Sequence, residues 1–220
     1  MTLKALSSLI FFVLFASLFA QNRHLDLGLK NNGICLGNSA NYNGVRLNLW
    51  DNNVGIINGI NISGYSNCKR TNGISIGVSV SEDSISNGVK IAGLMSYSGR
   101  HNGLALAGIL CDFKRLNGVA ISGFGCFGDT LNGLAVTLGI ISAPKQQING
   151  IAIAAFNVYS QKLNGVSLSI FANSFERVNG ISFALLNRTK ELHGFQFGLI
   201  NYAGNNCKFF RWTPLFNLHL

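Results

Sequence analysis

Charge is scarce in this sequence. Only 11% of its residues are charged and eight are acidic, against about 25% charged in an average soluble domain. General acid–base chemistry needs convergent carboxylates. Asp26, Asp51, Glu82, Asp83, Asp112, Asp129, Glu176 and Glu191 instead fall mostly in polar turn-like segments, without a recurring pair. His24, His101, His193 and His219 are scattered with no partner at ligand spacing and read as solvated turn residues. No catalytic site, metal or cofactor is therefore expected.

Other absences narrow the class further. The net charge of +9 arises from few acids rather than many bases, and no basic run or aromatic–basic motif is present. Nucleic acid is thus not an expected partner. Beyond residue 20, no segment offers about eighteen uninterrupted apolar residues, which excludes a helical membrane span. Calcium-binding β-rolls need Asp in every repeat, and ice-binding solenoids carry regular Thr rows; this chain has neither, with six Thr in all.

Residues 1–20 form a separate object. Lys4 supplies a positive start, residues 5–19 are mostly apolar, and Leu18-Phe19-Ala20 precedes Gln21. This is the pattern of a secretory signal peptide. The expected location is therefore secreted, or on a bacterial cell surface or outer membrane.

What the remainder has in abundance is Asn-Gly. The pair starts at Asn32, Asn43, Asn58, Asn72, Asn87, Asn102, Asn117, Asn132, Asn149, Asn164 and Asn179, and a twelfth copy reads His193-Gly194. Spacings are 11, 15, 14, 15, 15, 15, 15, 17, 15, 15 and 14. Composition alone, 27 Asn times 26 Gly over 220 residues, gives about three such pairs. A fixed short period means one small unit stacked many times.

With Asn as place one, places three and five are aliphatic or Phe in nearly every copy. Ile74 and Ile76, Leu104 and Leu106, Ile151 and Ile153, and Phe195 and Phe197 are examples. Place four is small or polar: Ser75, Lys90, Ala105, Ala120, Ala135, Ala152, Ser167, Ser182 and Gln196. Alternation with period two predicts a β-strand with one buried face. On this reading the aliphatic places point inward. Small residues at places six and seven then allow a corner, and a large apolar residue follows at place eight.

The expected fold is all-β: a single-domain β-solenoid of about twelve 15-residue coils over residues 21–202, closed by a C-terminal cap at 203–220. In-register stacking at about 4.8 Å would place Asn above Asn, with the amides hydrogen-bonded up the column. Asn also tolerates a left-handed corner. The same spacing fits a 12-stranded transmembrane β-barrel, with strands of about ten residues. Two features oppose that alternative: every turn uses the same Asn-Gly, and no aromatic girdles mark both strand ends.

Segment 194–201, Gly-Phe-Gln-Phe-Gly-Leu-Ile-Asn, and the closing Pro214-Leu-Phe-Asn217 resemble a family of bacterial surface-repeat proteins first noted in spirochaetes. Its members look like tandem Gly-h-x-h-Gly-h-x-Asn units (h apolar) behind a signal peptide. The resemblance spans about residues 31–217, and it implies cell-surface location and no known catalytic activity.

Two candidate sites remain. Arg70, Arg100, Arg115, Lys162 and Arg177 stand two residues before Asn and would form a basic row, interrupted by Ile85, Thr130 and Gln147. Such a row either keeps an edge soluble and unpaired or docks anionic polysaccharide or lipid headgroups. Cys111 and Cys126 share place ten, so stacking brings them within disulfide range or leaves them as small fillers. Five cysteines cannot all pair, and Cys35, Cys68 and Cys207 show no metal-ligand spacing. The expected role is structural or adhesive, non-catalytic, with end-to-end self-association as a further possibility.

Overall fold

The computed structural model describes residues 24–29 and 31–219; the signal-peptide segment at 1–20 lies outside them. The chain divides into two compact units, one through Gly93 and one from Leu94. Each is a β-solenoid of coils about 15 residues long.

The first unit holds β1 (His24–Gly28), β2 (Asn32–Gly37), β3 (Tyr42–Trp50) and β4 (Val54–Ala92), which winds through several coils. The second holds β5 (Met95–Ala107), β6 (Leu110–Ser122), β7 (Gly125–Thr137), β8 (Ile140–Ala154), β9 (Asn157–Ser169), β10 (Ala172–Phe183), β11 (Leu186–Ala203) and β12 (Trp212–His219). Within each unit, strand order in the sheet follows chain order.

Pairing is parallel from β2 to β4 and from β5 to β11, Gly against Gly at each step and Asn against Asn except where Asn179 meets His193. Parallel neighbours exclude the barrel alternative, whose strands must alternate in direction. The two extra residues between Asn132 and Asn149 are taken up as an irregularity between Ala143 and Gln147, so the register recovers before the next Asn.

Among the described residues, β1 and β12 run the other way. β1 lies antiparallel on β2. Residues 203–220, read from sequence as a cap, contribute a 3-10 turn at Lys208–Phe210 and then β12, antiparallel on β11.

The Asn-Gly corner works differently from the sequence expectation. The ladder Asn residues have ordinary backbone; the glycines take the unusual one, with φ between 117° and 140° from Gly33 to Gly194. The pair also lies inside a strand rather than between two, and the strand breaks come at places seven and eight, as at Gly108-Ile109 and Gly123-Phe124. A Cβ at Gly150 would fall on Gly133 O of the coil before it. Glycine is thus demanded twice, by φ and by the closeness of the neighbouring backbone. Asn is left free for its side-chain ladder: Asn149 Nδ2 donates to Asn132 Oδ1 at 2.7 Å and Asn164 Nδ2 to Asn149 Oδ1 at 2.6 Å.

A second expectation is overturned. The aliphatic places three and five face outward, with Ile121 and Ile151 each 43% exposed. Place four faces in: Ser75, Lys90, Ala105, Ala120, Ala152, Ser167, Ser182 and Gln196 are all wholly buried. The reason is volume. A 15-residue coil encloses a narrow interior, and the opposite wall already fills it from the position just before Asn with Leu116, Leu131, Ile148, Leu163, Val178 and Leu192. Small residues must meet that column if packing is to reach ordinary density. Ala152→Leu should therefore cost about 1–3 kcal/mol by overpacking, whereas Ile151→Ser should cost less than about 1 kcal/mol. Urea unfolding midpoints of the two variants check this, and a larger loss for Ile151→Ser would restore the opposite facing.

Candidate functional site

Register decides what the basic row becomes. In the second unit Arg100 pairs with Arg115, Arg115 with Thr130, Thr130 with Gln147, Gln147 with Lys162 and Lys162 with Arg177. The column is real, with the two interruptions read from sequence. Arg70 lies in the first unit, exposed on β4.

Neighbouring acids divide the column into two parts. Arg177 Nε donates to Glu191 Oε2 at 2.6 Å, and Lys190 Nζ meets Glu176 Oε1 at 2.6 Å, beside Lys162 and Gln161. Glu176 raises the ammonium pKa of Lys190 by that hydrogen bond. Arg100 and Arg115, by contrast, have no carboxylate within 4.0 Å among the described residues. The acids Asp112 and Asp129 border a shallow groove with Lys145, Phe127 and Pro144. Burial first, then Asp129, raises the Asp112 carboxyl above its ordinary value.

The outer surface of the second unit is two-sided. Charged residues follow place ten, as in Asp112, Lys114 and Arg115, or Arg188, Lys190 and Glu191. After the Asn-Gly corner the outward residues are apolar throughout: Ile121, Ile153, Phe183 and Phe197 on the wall, Phe124 and Phe156 at the next corner. Aromatics stack between coils there, Phe156 on Phe171 at 5.4 Å and Phe183 on Phe197 at 5.1 Å.

Comparison of the chain with protein-family models, curated proteins and solved structures found no match.

Cys111 and Cys126 are direct register partners, both wholly buried. They stand as two thiols, with Cys111 Sγ donating to Ile121 O at 3.8 Å. Parallel neighbours aim their Cβ atoms the same way at a separation of about 4.8 Å, beyond the ~3.8 Å mean of disulfides. They pack as small fillers, and burial pushes the Cys126 thiol pKa up, out of the range of thiolate chemistry.

Sequence reasoning missed the charged interior of the first unit. Arg46 and Asp51, both wholly buried, meet at 2.6 Å. Arg46 also donates to Asn61 Oδ1 at 2.8 Å and Asn38 Oδ1 at 2.7 Å, while Asp51 accepts from Asn48 at 2.9 Å and Asn61 at 3.2 Å. A second wholly buried pair joins Lys90 Nζ to Asp83 Oδ2 at 3.2 Å, with Thr71 Oγ1 donating to Asp83 Oδ1 at 3.3 Å. His101 is likewise wholly buried, stacked on Phe113 at 5.5 Å, and not a solvated turn residue. The available signal was Arg46 and Lys90 at place four, large cations in a column of small residues.

Burial raises the Asp83 carboxyl above its ordinary value of 3.8, although Lys90 and Thr71 oppose the shift. The folded chain therefore binds this proton more tightly than the unfolded one. The stabilisation is complete below 3.8 and is lost as pH rises through the raised value. Relative to Asp83→Asn, the unaltered protein should lose stability as pH climbs from about 4, measured by urea midpoints at successive pH values. A relative gain over that range would refute the assignment.

Proposed function

We propose that the chain is an exported, non-catalytic repeat protein of a bacterial surface, with a structural or adhesive role, binding anionic polymers through its basic column. The observation that carries this is the direct stacking of Arg100 on Arg115, with no carboxylate within 4.0 Å of either among the described residues; Lys162 stacks on Arg177 farther along the same column. Neighbouring coils about 4.8 Å apart hold those charges at short, regular intervals, an arrangement that suits a polymer with repeating anionic groups. Arginine presents several donors in a planar fork, matched to carboxylate or sulfate. The signal-like segment at 1–20 and the resemblance to surface-repeat proteins supply the location.

The test is binding to dextran sulfate and to a carboxylated polysaccharide over a salt series. Each exposed contact is screened over about 10 Å at moderate salt, so affinity should fall steadily as salt rises. The triple variant Arg100→Ser, Arg115→Ser and Arg177→Ser should lose that binding with its fold intact. Unchanged, salt-insensitive binding would end the proposal.

A further inference from the structure

The apolar outer wall of the second unit has no covering element among the described residues. Ile121, Ile151 and Phe183 are 43%, 43% and 37% exposed on it, and Phe124, Phe156 and Phe171 are 63%, 52% and 52% exposed at the adjoining corner. Every wall position at places three and five from Leu104 to Phe197 is apolar. Seven coils about 4.8 Å apart make the wall about 34 Å tall, and six places at about 3.3 Å make it about 20 Å wide, roughly 700 Å² in projection. That exceeds the largest apolar patch on a typical monomer, about 300–600 Å².

We infer that this wall is a lipid-contact face which seats the second unit on an anionic bilayer surface. Two observations select a bilayer over another protein. The wall and corner side chains named here carry no polar atoms, so they offer apolar area and little that could recognise one folded partner; an acyl boundary asks for nothing else. Charge is the second. The chain carries +9, and the Arg100–Arg115 stack is separated from the wall by the Asn-Gly corner alone. A second copy would bring like charge to that border, whereas anionic headgroups bring the opposite sign. Long arginine stems can lay their methylenes along apolar surface while the guanidinium stays at headgroup level. Each base near such a surface strengthens binding by about fivefold.

From the proposed function this inference takes only the exposed basic column; the wall is an independent observation, and the two readings separate by experiment. The chain without residues 1–20 is sedimented with phosphatidylcholine vesicles, with and without phosphatidylglycerol. It should bind the anionic vesicles and bind the zwitterionic ones more weakly. The variant Ile121→Ser, Ile151→Ser and Phe183→Ser alters exposed positions, so circular dichroism and dextran sulfate binding should be preserved. Its vesicle affinity should fall at least about tenfold, since each large apolar side chain removed forfeits burial. Arg100→Ser with Arg115→Ser should weaken binding to anionic vesicles and leave binding to zwitterionic ones unchanged. Three results would overturn the inference: no binding to either vesicle, unaltered binding by the wall variant, or a dimer in analytical ultracentrifugation that the wall variant dissolves. Failure of the unaltered chain to bind dextran sulfate, with vesicle binding present, would sink the polymer reading alone.

Discussion

Coil meets coil most closely at glycine. At place two the backbone bends with φ near the 129° of Gly150, against a neighbouring carbonyl that leaves no room for a side chain. Beside it the Asn amide donates to the Asn of the previous coil, at 2.7 Å for Asn58, Asn72, Asn87 and Asn117 and at 2.8 Å for Asn132. One contact sets the spacing and the other sets the register. Each amide bond is modest, about 1 kcal/mol net. Their value lies in repetition, because a slip would break every rung of a unit at once. Columns, walls and the basic stack all follow from that shared register.

Confinement shapes the interior. The interior has one unbroken column of large side chains, the Leu, Ile and Val before Asn in the second unit, with Phe113, Ile141, Val158 and Phe175 filling it at single coils. What faces them must be small, so Ala and Ser line the opposite wall and the bulkier aliphatics are displaced outward. Near the C-terminal end the lining becomes polar again. Asn173, Asn187 and Asn201 are wholly buried and linked side chain to side chain at 3.3 and 2.9 Å. They also donate to corner carbonyls, Asn187 to Phe197 O at 2.8 Å and Asn201 to Gly198 O at 2.9 Å. The first unit carries this further with two buried ion pairs. Ionic pairs of this kind are weak contributors to net stability but punish any arrangement that separates the partners.

Arithmetic on the Asn positions was enough to foresee parallel stacking, the amide ladder, and the meetings of Cys111 with Cys126 and Arg100 with Arg115, since each depends on spacing alone. Facing was not legible. Alternation shows that successive side chains point opposite ways, yet it is symmetric to exchanging inside and outside. Choosing between them by hydrophobicity failed because the deciding quantity was the width of the coil, which no single repeat reveals. The ion pairs were hidden for a related reason: Arg46 and Asp51 sit at different places of one coil, and only the fold of that coil brings them together. The inner Asn173, Asn187 and Asn201 row was present as a regular interval of fourteen residues, obscured by the stronger Asn-Gly signal.

β1 lies antiparallel on β2 in the first unit, and β12 lies antiparallel on β11 in the second. A reversed strand cannot set Asn on Asn: Gly28 meets Gly33 there, and His219 meets Gly194. The amide rungs therefore stop at these two strands, and a further coil arriving on either would have to bind without the side-chain ladder that guides the parallel steps.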